Sequence, residues 1–332
     1  MSAPLVSVII PAYNAAATIG EALLSALDQT YRPLEIIVID DGSTDATADI
    51  VQQRFGEQVK LLREPHCGRG SARNTALLAA KGELIQFLDA DDLLEPGKVR
   101  AQVAYLVDHP GIDVVYGDIE CFAADDPSFR WPYKPAEKPE GVVLSSMIED
   151  GFLLTLSALV RAKQCAEVGG FDPQLRSNED WDLWVRIAAT GARFGRYPRD
   201  GFVGYYRINR GAPADAVHED AGVRVLEKLQ RSLTADEARR LRVRRAIGRW
   251  RFGYGRALLR SGGPRGNAVF AMARALIEDP RSWDYKLAWI VLGGILGAKH
   301  ASGIIEALQS RATRDPATPR DLADGQPSKN HL

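Results

Sequence analysis

Cysteine is scarce in this chain of 332 residues: Cys67, Cys121 and Cys165 stand far apart, and no two form a CxxC pair. That spacing excludes a disulfide framework, argues against a zinc site, and fits unpaired thiols in a reducing compartment. An excess of either charge is also missing. With 42 basic and 43 acidic residues the net charge is -1, so no global field points to nucleic acid and none is expected as a partner. The start, Met1-Ser2-Ala3-Pro4, lacks a basic stretch followed by an apolar one, so no secretory signal is expected and the expected location is cytoplasmic. The GxxxxGK[ST] pattern of a P-loop is absent. What is present is ordinary for a globular protein, 45% apolar and 26% charged residues, enough for one large core or for one domain with an appendage.

Leu5-Val6-Ser7-Val8-Ile9-Ile10 is nearly continuous in apolar and β-branched residues, as a strand covered on both faces requires. Pro11 ends it, and Tyr13-Asn14 follow in a loop. Ile19, Ala22, Leu23, Ala26 and Leu27 then recur at helical spacing. Leu34 to Ile39 repeats the strand pattern and runs into Asp40-Asp41-Gly42-Ser43-Thr44-Asp45. A helix over 46–55 and a short strand over 59–62 continue a βαβ rhythm, which predicts a doubly wound α/β sheet. Ligands of such sheets bind beyond the carboxyl ends of the strands.

Three of those ends carry Pro11-Ala12-Tyr13, Asp40-Asp41 and Asp89-Ala90-Asp91-Asp92. In the last, an apolar run of strand length stops in three carboxylates within four residues. A solvated turn, with an aspartate capping a helix opened by Leu93-Leu94-Glu95-Pro96, is one reading. The other is that a divalent cation and a ribose neutralise and bind these oxygens. Between the acidic loops lies Gly68-Arg69-Gly70, which with Arg73 opens a helix through Ala80. Backbone N–H groups and guanidinium charge there suit a phosphate; an arginine paired with a carboxylate is the plainer alternative.

Four motifs in register resemble family 2 glycosyltransferases: Val6-Ser7-Val8-Ile9-Ile10-Pro11-Ala12-Tyr13-Asn14, Ile39-Asp40-Asp41-Gly42-Ser43-Thr44-Asp45, Ala72-Arg73-Asn74 and Phe87-Leu88-Asp89-Ala90-Asp91-Asp92. The likeness covers roughly the first two-thirds of the chain. It implies a GT-A fold: α/β, a mostly parallel sheet flanked by helices, here followed by a C-terminal helical extension. It implies that Pro11, Ala12 and Tyr13 line a nucleobase pocket and that Asp41 accepts a hydrogen bond from the base. Arg73 would lie near the base or diphosphate, Asp89 would face the ribose, and Asp91 would bind a Mn²⁺ or Mg²⁺ ion bridging both phosphates. Asp92 would cap the following helix.

Ser177-Asn178-Glu179-Asp180-Trp181-Asp182-Leu183-Trp184 matches the family's last catalytic segment. Trp181, Leu183, Trp184, Ile187 and Ala188 fit a helix facing the core, with Glu179 and Asp180 at its N-terminus, where simple capping is the plainer role. The resemblance makes Asp180 the general base and gives Glu179 the orientation of acceptor or helix. Many relatives carry Arg-x-His where this chain has Arg207-Ile208-Asn209, so no histidine ligand is claimed there, and His218 is left out of the metal set.

Further along, 113–118 reads as a strand, 123–141 as a long loop with Trp131 and Tyr133 embedded, and 202–206 as a strand. From about Val217 the pattern is helical, with Glu237 to Arg245 basic and amphipathic. The apolar stretch 283–298 is shorter than the ~20 residues of a spanning helix; it is either a buried hairpin or a helix in the membrane interface. Residues after Arg311 read as disordered. The expected domains are 1–215, 216–311 and 312–332.

The expected function is inverting, metal-assisted transfer of a sugar from a nucleotide-diphospho-sugar, most often UDP-linked among relatives, to a glycan or lipid-linked glycan. Peripheral contact at the inner face of the plasma membrane through 283–298 and a homo-oligomer through the helical tail are further candidates. The alternatives are an inactive nucleotide-sugar-binding scaffold and a sugar-phosphate nucleotidyltransferase.

Overall fold

The computed structural model describes residues 3–133, 138–149, 151, 153–197, 201–208 and 216–279. The chain divides into two compact units, Met1–Arg210 and Gly211–Leu332. In chain order the strands of the first are β1 (Val6–Ala12), β2 (Leu34–Asp41), β3 (Lys60–Glu64), β4 (Leu84–Phe87), β5 (Leu93–Leu94), β6 (Val114–Tyr116), β7 (Ile119–Ala123), β8 (Arg130–Pro132), β9 (Ala158–Arg161), β10 (Phe194–Arg196) and β11 (Gly204–Ile208). Its helices are α1 (Ile19–Leu27), α2 (Thr47–Phe55), α3 (Arg69–Ala79), α4 (Lys98–Asp108), α5 (Leu144–Glu149), α6 (Ala162–Glu167) and α7 (Glu179–Ala189).

The larger sheet has the order β10-β6-β9-β4-β1-β2-β3. Every residue of β1 is buried, the consequence of a central strand covered on both faces. Helix α1 presents Ile19, Ala22, Leu23 and Ala26 to this core. β1 pairs in parallel with β2 from Val6↔Leu34 to Ala12↔Asp40, and with β4 from Val6↔Leu84 to Ile9↔Phe87. The register therefore delivers the ends of β1, β2 and β4 to one edge of the sheet. β9 runs antiparallel between β4 and β6. Beneath β4, the fully buried Lys98 donates to Gln86 and to Gln102 Oε1 at 2.5 Å. Burial with no anion beside it pushes the Lys98 pKa well below its ordinary value.

A second sheet, β5-β11-β7-β8, corrects two expectations. Leu93-Leu94 opens no helix; it is strand β5, antiparallel to β11, and α4 begins at Lys98. Within the expected loop 123–141, Arg130–Pro132 pairs with Glu120, Cys121 and Phe122 of β7 as a hairpin. Pro132 is tolerated because β8 is an edge strand. The three cysteines are free thiols, Cys67 exposed and the other two buried.

The second unit contains α8 (Ala216–Ser232), α9 (Ala235–Arg240), α10 (Val243–Arg260) and α11 (Arg265–Glu278). The expected helix over 237–245 is broken: α9 ends at Arg240 and Arg242 takes a left-handed φ of 53° before α10 begins. Thr234 and Glu237 form a reciprocal capping box that starts α9. Helix α10 packs between α8 and α11, and Arg251 on it pairs with Glu227 at 2.6 Å and Glu278 at 2.9 Å. Asn209, the stretch 283–298 and the tail 312–332 lie outside the described residues.

Candidate active site

The loop after β1 is laced to the loop after β2. Asn14 N–H donates to Ser43 Oγ at 3.0 Å, Thr44 N–H to Asn14 Oδ1 at 2.8 Å and Ala15 N–H to Thr47 Oγ1 at 2.8 Å. Asn14 itself is left-handed, with φ 48°. These bonds set Tyr13, half exposed, at the rim beside the buried Pro11 and Ala12.

Asp41 is buried at the end of β2, where its carboxylate accepts from Cys67 N–H at 2.7 Å, Gly68 N–H at 3.0 Å and His66 Nδ1 at 2.9 Å. The carboxylate expected to read a base is thus already committed to the loop that leads into α3.

Arg73, only 1% exposed, is the centre of the site. Nη1 donates to Glu179 at 2.8 Å and Nη2 to Asp89 at 2.5 Å, while the guanidinium lies 5.1 Å from the Phe171 ring centroid. Its neighbour Asn74 clamps the same segment: Asn74 Nδ2 donates to Phe171 O at 2.9 Å and Oδ1 accepts Phe171 N–H at 2.8 Å. Gly170 makes that clamp feasible, because a Cβ there would stand 2.5 Å from Asn74 Oδ1. Arg69 adds a second cation, 3.5 Å from Asp89 and 3.4 Å from Glu179. Asp89 raises the Arg69 pKa, against the effect of burial. In return, although burial would raise the Asp89 pKa, the two arginines hold it below its ordinary value.

The other two aspartates of the cluster move the opposite way. Burial, then the charge of Asp89, raises the Asp91 pKa. Asp92 is 1% exposed and is raised well above its ordinary value by burial, Asp89 and Asp91. It caps no helix; its Oδ1 accepts Arg207 N–H at 2.9 Å, and Arg207 Nε donates to Asp91 O at 2.8 Å. The acidic turn is thereby tied to β11. This also disposes of the solvated-turn reading.

At the start of α7, Glu179 is not a cap either: Asn178 is the N-cap, left-handed at φ 57°, and makes no side-chain cap bond. Asp180 accepts Trp181 N–H at 2.8 Å, and burial followed by the charge of Glu179 pushes its pKa up to about 6. Trp181, Leu183, Trp184, Ile187 and Ala188 are buried as the periodicity predicts.

Tyr206 on β11 was not anticipated: burial raises its pKa, and the charges of Asp92, Asp89, Asp180 and Asp91 raise it further. His66 was likewise not singled out, whereas Arg69 stood beside the glycines of 68–70 as a phosphate candidate and Asn74 within the motif Ala72-Arg73-Asn74.

Among the described residues no three His, Cys, Asp or Glu side chains converge as a ready metal cage. A Mg²⁺ or Mn²⁺ ion that takes most of its ligands from substrate phosphates and water needs only one or two carboxylates. Asp91, whose pKa burial and then the charge of Asp89 raise despite Arg69 and Arg207, fits that role.

The order of strands, and the acidic turn at the end of β4, define a GT-A fold. The structure of TarS residues 1–349 from S. aureus in complex with UDP-GlcNAc superposes with a TM-score of 0.64 at 19% identity, covering 94% of this chain and 93% of that one. Residues 7–157 match glycosyl transferase family 2. An uncharacterized glycosyltransferase of Rickettsia felis is 35% identical over 188 residues, 55% of this chain and 31% of that protein's length. Chondroitin synthase of Pasteurella multocida is 31% identical over 194 residues, 57% of this chain and 19% of its length. The chain thus spans less than a third of either relative.

Proposed function

We propose that this chain transfers a sugar, with inversion, from a nucleotide-diphospho-sugar to a hydroxyl of a glycan acceptor. The observation that carries the reading is the buried network in which Arg73 joins Asp89 to Glu179, beside a carboxylate, Asp180, whose pKa reaches about 6. In this reading Pro11, Ala12 and Tyr13 border the base, Asp89 meets the ribose, and Arg69 and Arg73 supply positive charge at the diphosphate. Asp91 would hold a Mn²⁺ or Mg²⁺ ion, which offsets the negative charge that gathers on a leaving diphosphate.

Asp180 takes the proton from the acceptor hydroxyl as that oxygen attacks the anomeric carbon opposite the diphosphate. The new C–O bond forms as the anomeric C–O bond to phosphate breaks, and a single displacement inverts the centre. Partial burial makes Asp180 a stronger base than an aspartate in water, which suits proton transfer near neutral pH. Glu179, held by Arg73, fixes the first turn of α7 and so the aim of Asp180.

A UDP-linked donor and a glycan acceptor, free or lipid-linked, agree with the UDP-GlcNAc of the TarS complex and with the relative named for chondroitin synthesis. No described helix is long and apolar enough to cross a membrane. The experiment is calorimetric titration of UDP, TDP, GDP and CDP with Mn²⁺ and with EDTA. Metal-dependent binding of one of them is expected; binding of none defeats the reading, and binding without turnover favours the inactive scaffold.

A further inference from the structure

The sheet β5-β11-β7-β8 has two unlike faces, and its register defines them. Arg207 lies beside Phe122, and Phe122 opposite Arg130; one residue along, Tyr206 lies beside Cys121, and Cys121 opposite Trp131. Side chains alternate along a strand, so the two rows stand on opposite faces. The first face closes on itself: the Arg207 guanidinium lies 4.6 Å from the Phe122 ring centroid, and that of Arg130 lies 5.1 Å from Tyr205. The second carries Tyr206, Trp131 and, two residues before Trp131, Phe129. Ile119, Leu156 and Val203 close one end of it, with Tyr206 and Tyr133 packed against them. At the other end Phe129 and Trp131 touch, their ring centroids 5.2 Å apart, and there Trp131 is only partly buried and Phe129 is 51% exposed.

This face is continuous with the site. Strand β5 leaves the acidic turn directly, and β11 beside it holds that turn through Arg207 N–H to Asp92 and Arg207 Nε to Asp91 O. The charges of Asp92, Asp89, Asp180 and Asp91 raise the Tyr206 pKa, in keeping with that closeness. From Tyr206 to Trp131 is two strand spacings, roughly 10 Å. We propose that Trp131 and Phe129 form an acceptor-binding surface, on which a pyranose of the acceptor glycan, further along the chain than the unit that reacts, lies flat. A pyranose with equatorial substituents, such as glucose or N-acetylglucosamine, turns its axial C–H bonds to the ring faces, and these meet the electron-rich face of an aromatic ring. Two rigid rings in contact lose little freedom when they bind. Contiguous exposed aromatic surface at a site is a mark of binding and has no use in the core.

The inference rests on the glycosyl-transfer reading, and its test separates the two. N-acetylglucosamine and the N-acetylated chitobiose, chitotriose and chitotetraose are titrated by calorimetry into the full chain and into Trp131→Ala, Trp131→Phe and Phe129→Ala. Each titration is run alone and with Mn²⁺ and whichever of UDP, TDP, GDP and CDP the wild type binds. Wild-type affinity rises with oligosaccharide length, because only the longer chains reach the two rings from the site. Trp131→Ala weakens binding of the triose and tetraose roughly 5- to 30-fold, the effect of removing an aromatic anchor. It leaves the affinity for the monosaccharide and for the nucleotide unchanged. Phe129→Ala acts in the same direction, and Trp131→Phe, which keeps a ring, recovers most of the loss.

Equal oligosaccharide affinity in wild type and Trp131→Ala overturns the proposal and leaves the donor reading intact. So does a wild type that binds the nucleotide but holds the tetraose no tighter than the monosaccharide. A loss shared equally by the monosaccharide, the tetraose and the nucleotide, or one that Trp131→Phe fails to recover, overturns it too, since either makes Trp131 a support of the hairpin. A wild type that binds the oligosaccharides through Trp131 but no nucleotide keeps the surface and defeats the donor reading instead.

Discussion

Arg73 and Glu179, 106 residues apart in sequence, meet at 2.8 Å with both side chains buried. The pair joins α3 to the first turn of α7, and Asp89 completes a triad with a single cation at its centre. Isolated, any of the three would be a buried charge at heavy cost; together they fix the relative positions of the acidic turn and the helix that carries Asp180.

Breaking this triad is predicted to be severe. Arg73→Ala leaves Asp89 and Glu179 facing each other with only the half-exposed Arg69 nearby, and removal of one partner from a buried pair typically costs about 3–5 kcal/mol. Urea unfolding should show a loss of that size. Arg73→Lys should recover less than half of it, because one ammonium cannot present a planar fork to two carboxylates.

Much of this was legible beforehand. The unbroken apolar runs of β1 and β2 and the spacing of Ile19, Ala22, Leu23 and Ala26 follow directly from burial on both faces and on one face, and they gave the sheet edge where the loops converge. The acidic turn was legible because its charge density has few structural uses. Long-range pairing was not. Nothing local marks Arg73 as the partner of Glu179, or sends Asp92 to the backbone of Arg207 in place of the next helix. Strand β8 was hidden by its brevity and by Pro132, and β9 by its antiparallel insertion between two strands of earlier sequence. His66 carried no pattern at all; its stack on Tyr13 exists only after two loops are folded together.

Asp92 offers a test of the turn's electrostatics. Its folded pKa lies well above the unfolded value, so the carboxyl favours the folded state at low pH, and that advantage is lost as pH rises above about 4 toward the folded pKa. Asp92→Asn keeps an acceptor for Arg207 N–H and removes the repulsion with Asp89 and Asp91. At pH 7 the variant is expected to melt at least about 2 °C above wild type, and at pH 4 the difference should shrink. A lower melting temperature at pH 7 would show that the negative charge itself is needed.

In the second unit, Gly255 sets how closely α10 and α11 approach. A Cβ there would meet Met272 Cγ at 2.5 Å and Ala268 O at 2.7 Å, and the second is backbone that cannot turn aside. Gly255→Ala should therefore cost about 1–3 kcal/mol by forcing the helices apart, despite the better helix propensity of alanine. Thermal unfolding followed by circular dichroism reads this directly. A stabilised variant would mean that α11 can shift freely.

Asp91 is the carboxylate the proposed ion depends on. Asp91→Ala should reduce the Mn²⁺-dependent part of nucleotide binding by at least about tenfold, leaving affinity in EDTA unchanged, as calorimetry would measure. Because burial and Asp89 disfavour the charged form of Asp91, removing it should not destabilise the fold. A large drop in melting temperature would assign Asp91 to structure and would leave the ion without its ligand.

The pH profile tests Asp180 as the base. A base must be ionised to accept a proton, and burial with Glu179 beside it sets the Asp180 pKa at about 6. Below that value kcat/KM for transfer should fall about tenfold per pH unit, and above it the profile should be flat until another group intervenes. Asp180→Asn should bind nucleotide like the wild type, lose about 10²- to 10⁴-fold in kcat, and lose the acidic limb as well. The limb matters more than the rate, because a variant that merely misplaces the acceptor would be slow at every pH yet still titrate. If Asp180→Asn transfers slowly and retains the fall below about 6, the proton goes elsewhere, and Glu179 becomes the carboxylate to examine.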